Sequence, residues 1–269
     1  MIGEITTLGG QPASRLGLAG RPGMEAGCVS LAHEAGVNYF FFYDLSAAGL
    51  LKGLKPLLAR ARDQVVVATG SEERAPGALR RYLEKVRQKL DVEQVDVFFA
   101  EYVSPQDDLE EVHRALEELH AWKEKGLIRR AGATAHSRAL ALELVRGRCE
   151  VLMHRYNMAH RKSEDQVLPA ALEAGVPVVA FTCTRWGSLL EGHREWKGEA
   201  PTAADCYRFA LRHPAVRVAL TAPETEEQLR ENLAVLHRPA LSQEEAAHWA
   251  EYGALVYGEG KDSFETEWP

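Results

Sequence analysis

The stretch AGVNYFFFYDLSAAG, residues 35–49, decides how the rest of the chain is read. Val37 to Asp44 holds a valine, two tyrosines and three consecutive phenylalanines, residue types that suit a pleated strand. Side chains alternate between the two faces of a strand, and here both faces are apolar. Such a strand must be covered on both sides, as in a parallel sheet packed between other layers. The apolar run stops at Asp44, and a polar, small-residue loop follows.

Seven further runs share this character: SRLGLA (14–19), QVVVATG (64–70), VDVFFAEY (95–102), RRAGATAH (129–136), EVLMHRYN (150–157), PVVAFTC (177–183) and VRVALTA (216–222). Helical periodicity fills the intervals. Leu79, Leu83, Val86 and Leu90 form one stripe, and Leu109, Val112, Leu116, Leu119 and Trp122 form another. Asp108 suits the N-cap of the second helix, Gly126 its end, and Thr225 the start of TEEQLRENLAVLH. Eight β–α units in one uninterrupted run predict a closed (β/α)₈ TIM barrel, a single domain over residues 1–269. MIGEITTLGGQPAS reads as a hairpin closing the barrel floor, and SQEEAAHWAEYGALVYG as an extra C-terminal helix. An open, doubly wound sheet would carry G-x-G-x-x-G after its first strand, and GLAGRPGMEAG lacks that spacing.

Composition narrows the function. The chain of 269 residues is 46% hydrophobic and 26% charged, with a formal charge of −7. That balance, without a basic cluster, disfavours nucleic acid as a partner. No stretch approaches the ~20 apolar residues of a membrane helix. The first residues lack a basic head and an apolar signal core. Cys28, Cys149, Cys183 and Cys206 match no metal-binding spacing and read as free thiols of a cytoplasmic protein. A small molecule is the expected partner; the helices show no seam that would set an oligomeric state.

With the strands placed, RLGLAG, AGVNYF, VDVFFAEY, GLIRRAGATAH, HRYNMAHR, VVAFTCTRWGSLL and EEQLRENL fall in an order that resembles the aldo-keto reductases along nearly the whole chain. The resemblance implies hydride transfer from NADPH to a carbonyl, with a tyrosine giving the proton and a lysine, a histidine and an aspartate assisting it. Matched position by position, the aspartate falls on Phe41, the tyrosine on Ser46, the lysine on Gly70 and the histidine on Glu101. None of the four types is kept in this register; shifting the second strand to use Tyr43 or Asp44 gives at most a partial match, and the other strands still lack the lysine and the histidine. On the cofactor side, the serine–asparagine pair that holds the nicotinamide amide becomes Thr134 and Ala135, and a glutamine becomes Met153. The groups that grip the 2′-phosphate become Ala222, Pro223 and Gln228, with Glu224 adding repulsion. Phe181 is kept where an aromatic ring stacks on nicotinamide, and Glu231 and Asn232 where adenine is held. NAD(P)H is therefore a cofactor implied by the resemblance alone, held by Phe181, Thr134, Glu231 and Asn232.

Sites in this fold form at the carboxyl ends of the strands. Alternation places Glu101, His136, Arg155 and Asn157 on the inward side there, and His154 outward. Two readings fit Glu101. It forms a buried ion pair with Arg155, or it works as an acid or base with a pKa raised by burial. His136 either assists it or caps the next helix. Arg155 and Arg185 near one mouth suit an anionic group on a ligand. Asn157, Trp186, Phe41 and Tyr43 complete the expected substrate-binding set, Phe41 as an apolar wall and Trp186 over the mouth. No metal site is expected.

Three functions follow. The first is acid/base chemistry of isomerase, lyase or cyclase type on a small, anionic substrate, with Glu101 and His136 catalytic. The second is an atypical NAD(P)H-dependent oxidoreductase with Glu101 or Tyr43 as proton donor. The third is a non-catalytic binding or scaffold role.

Overall fold

The computed structural model describes residues 3–258 and 260. Eight parallel strands close into a barrel in chain order. They are β1 (Leu16–Ala19), β2 (Tyr39–Phe42), β3 (Val66–Ser71), β4 (Val95–Val103), β5 (Ile128–Ala135), β6 (Val151–Arg155), β7 (Val178–Phe181) and β8 (Val216–Thr221). All eight predicted strands form, with ends shifted by no more than two residues. The helices α1 (Gly27–Glu34), α2 (Ala48–Ala61), α3 (Pro76–Leu90), α4 (Leu109–Glu124), α5 (Arg138–Arg146), α6 (Val167–Ala174), α7 (Ala203–Ala210) and α8 (Glu226–Leu233) follow their strands in turn. A ninth helix, α9 (Gln243–Tyr257), ends the described chain and starts at a reciprocal cap between Ser242 and Glu245. The acidic, aromatic segment DSFETEWP (262–269) lies outside the described residues.

The phenylalanine run resolves into two layers. Phe40 and Phe42 face outward and join the core shared with Leu50 and Leu54 of α2. Phe41 faces the lumen with Tyr39, Val97, Phe99, Val179 and Val218. Its ring meets that of Phe99 edge to face at 6.1 Å. A parallel barrel buries both faces of each strand, so apolar residues at both parities are what it requires.

Helix ends follow their local chemistry. The Asp108 carboxylate accepts from the Glu110 N–H at 2.9 Å to open α4, and Gly126 takes φ +69° just beyond its end. Thr225 opens α8 by accepting from the Gln228 N–H at 3.3 Å. The expected floor hairpin is reduced to one antiparallel bridge, Thr6 to Pro12. Around it the Ala13 N–H donates to the Ile5 carbonyl at 2.7 Å, and the Ile5 side chain plugs the lumen from below. Among the described residues no helix is long and apolar enough to cross a membrane.

The floor is fixed by one buried charge. Asp96 on β4, 1% exposed, accepts from Arg62 at 2.9 Å and from Arg129 at 3.1 Å, and from the Val67 N–H at 2.8 Å. Arg129 in turn donates to the Thr6 carbonyl at 2.5 Å, tying the entry segment to β5. Asp96→Ala leaves two arginines and a backbone donor without their acceptor. We expect a loss of about 3 kcal/mol in urea unfolding, at the low end for a broken buried pair because both arginines keep access to water.

Candidate functional site

Val97, Phe99 and Glu101 share one parity on β4 and face the lumen, while Phe98 and Ala100 face the helices. Glu101 is 2% exposed. Its Oε2 accepts from the Thr134 hydroxyl on β5 at 3.0 Å, and the Thr134 oxygen accepts from the Tyr102 N–H at 2.5 Å. Among the described residues Oε1 has no hydrogen-bond partner and Glu101 forms no ion pair. The pairing with Arg155 that the sequence suggested is absent.

Burial without a counter-charge disfavours the ionised form, and the Glu101 pKa is pushed up to about 8. Desolvation is the largest cause. The Thr134 hydrogen bond opposes it, Glu72 adds to it, and Arg74 lowers it again. Arg74 approaches through the backbone, donating to the Glu101 carbonyl at 2.8 Å while it pairs with Asp107.

Gly70 makes room for this carboxyl. A Cβ at position 70 would lie 2.4 Å from the Phe99 carbonyl oxygen, 2.5 Å from Glu101 Cγ and 2.7 Å from Oε1. The acid at 101 and the missing side chain at 70 are thus one steric arrangement. Glu101 fills the space that a side chain at position 70 would take.

A cavity of ≈ 1060 Å³ runs from this carboxyl to the first turns of α8. Its inner end holds Glu101, Thr134, Phe41 and Met153; its outer end holds Gln228, Glu231, Asn232 and Arg238. His136 lies between two aromatic rings on its wall, 5.5 Å from Tyr102 and 4.9 Å from Phe181, both edge to face. Asn232 donates to the Thr221 hydroxyl at 2.9 Å, which Tyr207 also engages at 2.9 Å. Three wall residues, Tyr102, Thr182 and Trp186, hold φ between +52° and +54°. Left-handed backbone at residues other than glycine is rare and clusters at functional sites.

The structure brings most of the predicted site residues to this one cavity. Glu101, His136, Phe41, Tyr43 and Trp186 line it, as do Phe181, Thr134, Glu231 and Asn232. Three expected members do not. Asn157 was placed opposite Glu101, but its side chain secures its own loop. It donates to the Thr182 carbonyl at 2.8 Å and accepts from the Ala159 and His160 N–H groups at 2.9 Å. The cause is that β6 ends at Arg155, so strand alternation no longer applies two residues later. Arg185 is buried and donates to the Val256 carbonyl at the end of α9. Arg155 is buried at the tip of β6 and lies outside this cavity.

Ser46, the position matched to the family tyrosine, is exposed and takes part in a turn with Asp44 at 2.7 Å. His136 does not cap α5; Ser137 does. His154 points outward as expected, between the Ala135 carbonyl and the Ser163 hydroxyl, each at 2.7 Å. Burial pushes the Cys183 thiol up to about 12, which keeps it protonated.

Sequence reasoning missed Tyr102 and Arg238 as wall residues. Tyr102 has the outward parity, but the β4–β5 register shifts between Ala100 and Val103, so consecutive residues reach one cavity. Arg238 lies beyond α8, where strand periodicity carries no information.

Comparison with known proteins places this arrangement. The Aldo/keto reductase family matches residues 29–200. The chain belongs to that family. Among solved structures, the holo form of aldo-keto reductase AKR11C1 from Bacillus halodurans is similar with a TM-score of 0.79 at 18% identity, covering 97% of this chain and 100% of that one. An aldo/keto reductase from Klebsiella pneumoniae in complex with NADP and acetate is similar with a TM-score of 0.72 at 17% identity, covering 94% and 96%. At such identities the likeness is one of fold. No match is found among curated proteins.

Two outcomes are expected from the geometry. Gly70→Ala forces the Phe99 carbonyl or Glu101 to shift and lowers stability by roughly 1–3 kcal/mol in denaturant unfolding. Glu101 holds its proton in the folded chain up to about pH 8, whereas an unfolded glutamate loses it near 4.5. The folded state then binds the extra proton, so stability falls between these values as pH rises, by up to about 1.4 kcal/mol per unit. Glu101→Gln removes that part of the slope; an identical slope in the variant would assign the proton elsewhere.

Proposed function

We propose that the protein is an oxidoreductase that binds a reduced nicotinamide dinucleotide and reduces a small carbonyl compound, with Glu101 as its proton donor. The observation that carries this reading is the single cavity joining Glu101 to α8. Its volume of ≈ 1060 Å³ is at the upper end of ligand sites, which span about 300–1,000 Å³, and suits an elongated dinucleotide with room for a small substrate. Phe181 and Thr134 at the inner part would hold the nicotinamide end. Gln228 and Asn232 at the outer part would hold the adenosine end. The cofactor, when bound, supplies a hydride.

The chain's own residues handle the proton. Glu101 is neutral at pH 7 because of its burial and can give a proton to a carbonyl oxygen. Thr134 donates to Oε2, so Oε1 carries the proton that is given up. The Thr134 hydroxyl, held by the Tyr102 N–H, then stabilises the carboxylate that remains. Tyr43 and Trp186 stand at the open side of the same cavity, 41% and 54% exposed, and would shape the substrate's entry.

A cofactor-independent isomerase, lyase or cyclase reading relied on Arg155 or Arg185 to anchor an anion. Among the residues that line this cavity neither appears, and the family relationship does not support that chemistry.

Turnover of an aldehyde and ketone panel, followed by loss of reduced-nicotinamide absorbance, tests the proposal. Glu101→Gln should fold and lose about 10²-fold or more in turnover, the usual scale for a lost general acid. Wild-type activity should fall above pH ~8 as Glu101 ionises. Thr134→Val removes a hydrogen bond that lowers the Glu101 pKa, so its alkaline limb should move to higher pH. Wild-type turnover that is absent with every carbonyl tried, or unchanged in Glu101→Gln, would sink the assignment.

A further inference from the structure

We infer that the cavity selects a dinucleotide whose adenosine ribose carries no phosphate: NADH over NADPH. The inference rests on the dinucleotide reading above and adds the cofactor's identity.

Two arginines line the cavity among the described residues, Arg21 and Arg238, and no lysine does. Both are already matched by carboxylates. Arg21 pairs with Glu224 at 2.7 Å across the loops that follow β1 and β8. Arg238 pairs with Asp205 at 3.0 Å. Asp205 has a side chain only 12% exposed and also holds Arg208 at 3.3 Å, which reaches Glu245 at 3.1 Å. Glu231 lines the same end with no ion pair among the described residues. Of the charged groups at the outer end, Arg21, Arg238 and Glu231 line the cavity; counted with the ion-pair partners Glu224, Asp205, Arg208 and Glu245 behind them, three arginines meet four carboxylates, a formal sum of −1.

Helix α8 adds no positive pole for an anion. Its first turn carries Glu226 and Glu227, which already satisfy the dipole. Gln228 is engaged locally, accepting from the Glu224 N–H at 2.8 Å.

A 2′-phosphate would bring a further charge of about −1.5 to −2 into a region that is already slightly negative. Either arginine could turn to it only by leaving its carboxylate. For Arg238 that strips a largely buried Asp205 of one partner, which is costly. A ribose hydroxyl makes no such demand, and Glu231 is an acceptor that suits a hydroxyl donor and repels a phosphate.

Fluorescence titration of the protein's tryptophans with NADH and with NADPH tests this directly, since Trp186 lies on the cavity wall. The Kd for NADH should be lower by about tenfold or more. Glu224→Gln, at an exposed position, frees Arg21 and should narrow the NADH-to-NADPH affinity ratio by about threefold or more. Equal or tighter NADPH binding overturns the cofactor preference and leaves the dinucleotide reading standing. Saturable binding of neither overturns both. An unchanged ratio in Glu224→Gln overturns the electrostatic basis assigned to the preference.

Discussion

A carboxyl group 2% exposed inside a parallel barrel, with no ion pair among the described residues, stays there by remaining protonated. That constraint on Glu101 organises the rest of the site. It requires a neighbour that can donate to the acid without charging it, and Thr134 is that neighbour. It requires space in a tightly packed lumen, and Gly70 supplies it by having no Cβ. The Phe41–Phe99 edge contact closes the apolar side. The acid, the glycine and the aromatic wall are therefore interdependent, and a change at one is felt at the others.

The same constraint bears on the positions that the family resemblance matches to a catalytic set. The positions matched to the family's aspartate, tyrosine, lysine and histidine hold Phe41, Ser46, Gly70 and Glu101. A lysine at 70 and a glutamate at 101 cannot share these coordinates, because any Cβ at 70 would lie within 2.5 Å of Glu101 Cγ. At the outer end of the cavity both lining arginines are paired with carboxylates, so the cavity is polar there without being cationic.

How much of this was legible beforehand depends on which rule applied at each residue. Alternation worked inside the strands. It placed Glu101 and His136 inward and His154 outward. It failed at Tyr102, where a register shift turned the next residue into the same cavity, and at Asn157, which lies past the end of β6. Arg155 and Arg185 looked like ligand anchors because arginine near a barrel mouth suits an anion. Neither lines the cavity, whose shape sequence does not encode locally. Arg238 entered the wall from a connection after α8, where no periodic pattern existed to read.

By itself, the sequence determined the barrel. Eight doubly apolar runs separated by amphipathic helices leave a closed parallel sheet as the arrangement that buries both faces of every strand. It also showed Phe41, Gly70 and Glu101 at strand ends where the family resemblance implies other residue types. Only the tertiary structure decided how they fit together. A pKa is set by what surrounds a group in three dimensions, and the surroundings of Glu101 come from β3 and β5 as well as its own strand. The carboxylates that the two lining arginines pair with were decided the same way, by contacts between segments far apart in the chain.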